Sequence, residues 1–189
     1  MSPITSRPLA ASIGMAVLLS PLPAAFADDA TAPVSTVTVP QPDKQTTKTK
    51  AQKKRAKRIA ARKRADRKRA ALVRVALNQK GERYIAGHSG PGAFDCSGFT
   101  MYVYRKATGK NLPHFSGAQM NRSKRVSRKN LKPGDLLFYG PGGSQHVSMY
   151  LGRGRMIHAT NPRSGVRVDS INMAYYKARF AGAGRLVQG

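Results

Sequence analysis

The 189-residue chain holds one cysteine, Cys96, in the run "FDCSG", and four histidines, His88, His114, His146 and His158. A thiol acts as a nucleophile once a neighbouring base takes its proton; histidine is the usual base, and a third group orients it. Asp95 suits a helix N-cap and Gly109 a helix stop, so "CSGFTMYVYRKATG" is expected to be a helix, with Phe99 and Val103 on one face. Cys96 then falls in the first helical turn, where free N–H groups and the positive end of the helix dipole favour thiolate over thiol. Gly98 lets a second chain or a substrate come close. Two other readings compete. A lone cysteine is commonly a small buried hydrophobe, and Cys96 with the histidines is a zinc-capable set, although it lacks the short paired spacing of a structural zinc motif.

Strand geometry narrows the choice of base. "HVSMYLG" and "RMIHAT" read as two strands joined at "GRG". In the first, His146, Ser148 and Tyr150 share one face, and Val147, Met149 and Leu151 share the other. A three-residue loop would pair Leu151 with Arg155. Ser148 would then face His158, and His146 would be its diagonal neighbour on the same face, roughly 7–8 Å away at the backbone. A two-residue loop would set the histidines on opposite faces.

These side chains need a scaffold. "LVRVALNQKG" fits a helix stopped by Gly81. "KPGDLLFYG" reads as a turn and a strand, "GVRVDSI" as a further strand, and "YYKARFAGAGRLV" as a short helix or irregular segment before a last strand. Helices first and antiparallel strands after them define an α+β domain over residues 71–189. With a single cysteine, no intramolecular disulfide supports it.

The charge is far from balanced: 34 Lys and Arg against 8 Asp and Glu, a formal +26. This predicts polyanionic partners: nucleic acid, anionic lipid or an anionic wall polymer. The start of the chain selects among them. Arg7, an apolar run and Ala25-Phe26-Ala27 form the pattern of a secretory signal peptide over residues 1–27, cleaved after Ala27. Export argues against nucleic acid as a physiological partner. Residues 28–47 read as a Thr/Pro-rich flexible linker. Residues 48–70 hold 13 Lys or Arg, one acidic residue, and Ile59 as the sole large apolar side chain. Their propensity is helical, but like charges four apart oppose a helix and no face is available to bury. A solvated tract is expected, helical only when an anion neutralises it. It would anchor the protein to teichoic-acid-like polymers or to an anionic membrane surface.

"GERYIAGHSGPGAFDCSGFTMYVYRKATGKNLP", "LKPGDLLFYG" and "HVSMYLGRGRMIHA", in this order, resemble the NlpC/P60 family of cysteine peptidases over residues 71 to about 187. The resemblance implies a papain-like α+β fold, with its elements circularly permuted relative to papain. It implies that Cys96 is the nucleophile, His146 the general base and acid, and His158 the residue that orients His146. Tyr84 would stand near the oxyanion site, with a backbone N–H near Cys96. Asp95 and Ser97 would help bind the free amino end of the peptide. The implied substrate is a peptidoglycan stem peptide, commonly cut between D-glutamate and the diamino acid, by a secreted, wall-associated bacterial monomer without a cofactor. The chain departs from the family pattern in three places. Ala86-Gly87-His88 replaces a Trp-Gly-Gly, Ser148-Met149 replaces Gly-Ile, and His114 stands where an Arg is usual, whereas Gln119 is retained. Two other functions therefore compete: a non-catalytic cationic wall-binding protein on the same fold, and a related papain-like amidase.

Overall fold

The first helix starts with a reciprocal cap. In the computed structural model, which describes residues 49–188, the Gln52 backbone N–H donates to Thr49 Oγ1 at 3.3 Å and the Thr49 N–H donates to Gln52 Oε1 at 2.9 Å. This capping box satisfies two otherwise unpaired donors. It opens α1 (Lys50–Leu77), a helix of 28 residues, about 42 Å long at 1.5 Å per residue. The expected boundary between the basic tract and the folded domain, at 70/71, falls inside this one helix. The signal peptide and linker expected over 1–47 lie outside the described residues.

The tract is thus helical because it is capped at one end and docked on the domain at the other. Residues 50–64 are exposed all round, but Ala65, Arg69, Leu72 and Ala76 form a buried stripe. Arg69 donates to Asp135 Oδ1 at 3.4 Å, to the Pro133 carbonyl at 3.2 Å and to the Val187 carbonyl. One of the tract's 13 cations is therefore a buried structural group. Asp135, fully buried, also accepts two hydrogen bonds from Arg185, at 2.8 and 2.7 Å, and one from the Lys132 N–H at 2.7 Å. A buried carboxylate with this many donors is compensated; without them its desolvation would be costly.

Two short strands, β1 (Arg83–Tyr84) and β2 (Ala93–Phe94), pair in parallel and lead into α2 (Cys96–Thr108). Asp95 caps α2 and Gly109, at φ 73°, ends it in the left-handed conformation, both as expected. After α3 (Ser116–Asn121) come β3 (Lys124–Val126), β4 (Leu136–Tyr139), β5 (His146–Gly152), β6 (Arg155–Ala159), β7 (Val166–Ser170), α4 (Ala174–Arg179) and β8 (Phe180–Arg185). The six longer strands form one antiparallel sheet in the order β3-β8-β4-β5-β6-β7. On one face Phe138, Val147, Met149 and Ile157 pack with Leu72, Phe99, Val103 and Tyr104 of α1 and α2. On the other, Leu137, Tyr139 and Met156 pack with Tyr176 and Phe180. Among the described residues no helix is long and apolar enough to cross a membrane.

The docked half of α1 makes a testable demand. Leu72 is fully buried, so Leu72→Ala is expected to lower stability in a urea titration by about 3 kcal/mol. Ala61→Gly, on the solvated half, should cost no more than about 1 kcal/mol. Equal costs would mean that α1 is not part of the cooperative fold.

Candidate active site

The β5–β6 hairpin places the two strand histidines. Its loop has two residues, Arg153 and Gly154, with φ of 51° and 69°, and is closed by the pair Gly152–Arg155. Of the two loop lengths considered, the shorter is the one formed, and Leu151 is not opposite Arg155. Both loop residues adopt positive φ, the geometry that matches the twist of a tight hairpin. By itself this loop would send the histidines to opposite faces. A register shift between Tyr150 and Gly152 inserts Leu151 as an extra residue and restores the pairing, so that Met149 faces Ile157 and, one step on, Ser148 faces His158. His146 Nε2 lies 2.7 Å from His158 Nδ1.

The chain of contacts continues to a residue that the sequence reading missed. His158 Nε2 is 3.1 Å from Asp169 Oδ2. Asp169 Oδ1 accepts from Arg167 Nε at 2.9 Å and Nη2 at 2.6 Å. A carboxylate only accepts, so His158 carries its proton on Nε2 and leaves Nδ1 as an acceptor. His146 must then donate from Nε2, which leaves its Nδ1 lone pair free. The relay fixes both tautomers. The sequence carried a signal for Asp169: alternation along "VRVDS" puts Arg167 and Asp169 on one face, and β7 pairs Arg167 with His158.

Aromatic rings enclose the pair. Tyr176 stacks on His146 at 6.2 Å between centroids and meets His158 edge-on at 5.3 Å; Tyr139 lies 5.9 Å from His146. His158 is fully buried. Burial pushes both imidazoles well below the ordinary histidine value. A cation on His146 is further disfavoured because it would compete with one on His158, and the Arg167 guanidinium disfavours one on His158, while Asp169 partly restores His158. Ser148, the substituted residue between them, does not disturb the pair. Its hydroxyl bonds Met156 Sδ at 3.2 Å and lies 3.4 Å from the Tyr139 hydroxyl.

Cys96 sits partly buried at the start of α2, packed against the core that includes Val147, the residue after His146. Burial pushes the thiol up and the Asp95 charge adds to this. The N–H groups of Val147, Ser97 and Cys96 pull the other way without overcoming burial. The expected preference for thiolate is therefore not met: burial keeps the proton on sulfur. Tyr84, half-buried, is held above the ordinary phenol value by burial first, with the sulfur of Cys96, were it ionised, and the Asp95 carboxylate adding to this, so it stays a hydrogen-bond donor.

Asp95 organises the approach to the sulfur. Its Oδ1 accepts from the Gly98 N–H at 2.6 Å and the Ser97 hydroxyl at 3.0 Å; its Oδ2 accepts from the Gly87 N–H at 2.9 Å and lies 2.7 Å from His114 Nε2. The segment carrying the Ala86-Gly87-His88 departure thus folds over this carboxylate, and the His88 side chain is exposed. Gly98 is required by close approach: a β-carbon there would lie 2.2 Å from the His88 carbonyl oxygen and 2.9 Å from His114 Nε2. Buried Gln119 clamps the same turn, donating to the carbonyls of Ser97 at 3.0 Å and Pro113 at 2.9 Å while accepting from Thr100 at 2.7 Å.

The helix that begins at Cys96 thus packs against the strand that carries His146, and His146 is held by His158 and Asp169 behind it. Residues 81–185 match the NlpC/P60 family, and the chain belongs to it. The chain is similar to the probable endopeptidase p60 of Listeria innocua, 44% identical over 117 residues, covering 61% of this chain and 24% of that one. It is 38% identical over 109 residues to the murein DD-endopeptidase MepS/murein LD-carboxypeptidase of Escherichia coli, covering 57% of each. The solved NlpC/p60 domain of the peptidoglycan hydrolase SagA matches with a TM-score of 0.57 at 38% identity, over 62% of this chain and 98% of that one. The peptidoglycan hydrolase RipB of Mycobacterium tuberculosis matches with a TM-score of 0.59 at 32% identity, over 68% and 69%. The chain spans only 22% to 24% of the length of the first curated relatives it matches.

The buried neutral histidines link stability to pH. Their folded values are depressed, so the unfolded chain binds protons first as the pH falls. Stability should be full above about pH 6.5 and decline as the pH falls to about 4 for His158 and about 3 for His146, by up to about 1.4 kcal/mol per pH unit for each histidine. In urea titrations across that range, His146→Gln/His158→Gln should flatten the slope. An unchanged slope would show that the pair is not held neutral.

Proposed function

We propose that this protein is an exported cysteine peptidase that hydrolyses peptidoglycan stem peptides, at the bond between D-glutamate and the diamino acid. The observation that carries this reading is the ordered line from Asp169 through His158 to His146, one residue before the Val147 that lies against Cys96, in a chain that belongs to the NlpC/P60 family. The relatives named for peptidoglycan supply the substrate class.

In this reading the His146 Nδ1 lone pair takes the Cys96 proton as the sulfur attacks the amide carbon. The resting thiol is neutral, so no ion pair has to be kept in a buried site before substrate arrives. The carbonyl oxygen becomes an oxyanion, met by the Tyr84 hydroxyl and a backbone N–H near Cys96. The His146 imidazolium gives its proton to the departing amine, the C–N bond breaks and a thioester remains. Water, deprotonated by His146, then attacks the thioester and restores the thiol. His158 and Asp169 hold His146 in the tautomer that permits both transfers. Asp95 and Ser97 receive the free amino end of the peptide. Four protein donors already crowd the Asp95 carboxylate, so an incoming ammonium competes chiefly with His114, the more exposed of its two side-chain partners.

Purified peptidoglycan, digested with the protein and with Cys96→Ala and analysed by mass spectrometry, tests the reaction. New D-glutamate termini are expected with the native protein alone. Equal release by both would refute cysteine catalysis, and release by neither would favour a cationic wall-binding protein. Acetylating the amino end of a stem peptide should raise KM if Asp95 reads it.

Asp169→Asn tests the relay separately. An amide can donate to His158 Nε2 and so stabilise the wrong tautomer, and kcat should fall on the order of 10²–10⁴-fold with KM little changed. A variant with native kcat and an unaltered pH profile would reduce Asp169 to a packing role.

A further inference from the structure

A recess of about 1300 Å³ opens between the free half of α1 and the edge strand β3. Neither Cys96 nor the strand histidines line it. Strand β3 lies three places from β5 in the sheet, or about 14 Å at the usual strand spacing. One wall carries Lys54, Arg55, Arg58 and Arg62 of α1; the opposite side carries Lys124 and Lys132. Among the described residues, none of these six is ion-paired. The only acidic side chain in the lining is Asp66. At the closed end, Arg69 and Arg185 are already bound to Asp135.

Several observations together identify the occupant. Lys54, Arg58 and Arg62 repeat at four-residue intervals, about 6 Å apart along the axis. Like charges at that spacing destabilise a helix, and counter-charge along the row would relieve it. The site is concave with cations on both sides, whereas a flat membrane would meet only one side of a helix that is basic all round. The lining contains no aromatic side chain, so the stacking platforms that hold single-stranded nucleic acid are missing. A phosphate within a polymer backbone points its charged oxygens in two directions and can engage both walls, whereas a carboxylate on a side branch faces one.

We propose that this groove binds a linear, phosphate-bearing polymer without nucleobases. The basic helix is then one wall of a binding site rather than a tether, and the polymer runs beside the catalytic cleft without entering it. This does not depend on the peptidase reading, because the measurement is of binding alone.

The test compares two charge-matched variants of the full chain, titrated with linear inorganic polyphosphate. The groove variant is Arg58→Gln/Arg62→Gln/Lys124→Gln. The control is Lys53→Gln/Lys63→Gln/Arg64→Gln, three exposed residues outside the lining. Circular dichroism checks that both keep native helix content. The groove variant should bind about tenfold more weakly, with a salt slope lower by about two, and the control should stay near the native value. Equal weakening of both would overturn the proposal in favour of diffuse charge. Tighter binding, per charge, to poly-glutamate, to single-stranded DNA or to phosphatidylglycerol vesicles than to polyphosphate would overturn it as well.

Discussion

Everything proposed for this site depends on one residue of register. The loop between β5 and β6 is too short by one to bring His146 and His158 to the same face, and the bulge at Leu151 supplies the missing residue. Side chains alternate strictly along a strand. Without the bulge, His158 would point into the helix-covered core, and the 2.7 Å contact with His146 could not form. Asp169 and Arg167 take their places from the same register, because β7 is paired to β6 without a shift and inherits its facing. The hairpin therefore places His146, His158 and the Asp169 carboxylate behind them in a single step.

Two opposing effects decide the protonation state of Cys96, and their sizes settle which prevails. A helix N-terminus stabilises an anion by about 0.3–1 kcal/mol, and by up to about 2 in favourable geometry. Burial can move a pKa by several units, each about 1.4 kcal/mol. Cys96 has donors from its own helix turn and from Val147, yet burial and the Asp95 charge prevail and the proton stays on sulfur. The same burial keeps the histidines neutral. A neutral resting site has its proton on sulfur and its lone pair on the imidazole, so charge separation is left to the reaction itself.

What the sequence disclosed obeyed local rules. Asp95 and Gly109 marked the ends of α2 because capping is a contest among a few neighbouring atoms. The alternation in "HVSMYLG" assigned both faces of β5 for the same reason. The bulge was not legible, because register depends on two strands and on the loop between them. Asp169 was missed although its face was readable; the alternation argument simply had to be carried one strand further. The helical tract was missed for a different cause. Thr49 and Gln52 form a capping box whose spacing is visible, but the stabilising partner of Arg69 lies 66 residues away in Asp135, and no local pattern announces that.

The same scarcity of acids links the fold, the site and the surface. The described residues contain five acidic side chains, Asp66, Glu82, Asp95, Asp135 and Asp169. Three are committed inward: Asp135 joins α1 to the sheet, Asp95 caps the nucleophile's helix, and Asp169 ends the relay. Asp66 and Glu82 remain to balance a surface that carries most of the chain's Lys and Arg. The excess charge is thus what remains once the interior has taken the carboxylates it needs. A surface so charged lowers the stability of the compact state by self-repulsion, and counter-charge at the α1–β3 groove relieves part of it. Acidic substitutions along that groove would relieve the repulsion too, but they would abolish its attraction for polyanions. Unpaired Lys and Arg on both walls therefore serve the proposed binding and not the fold.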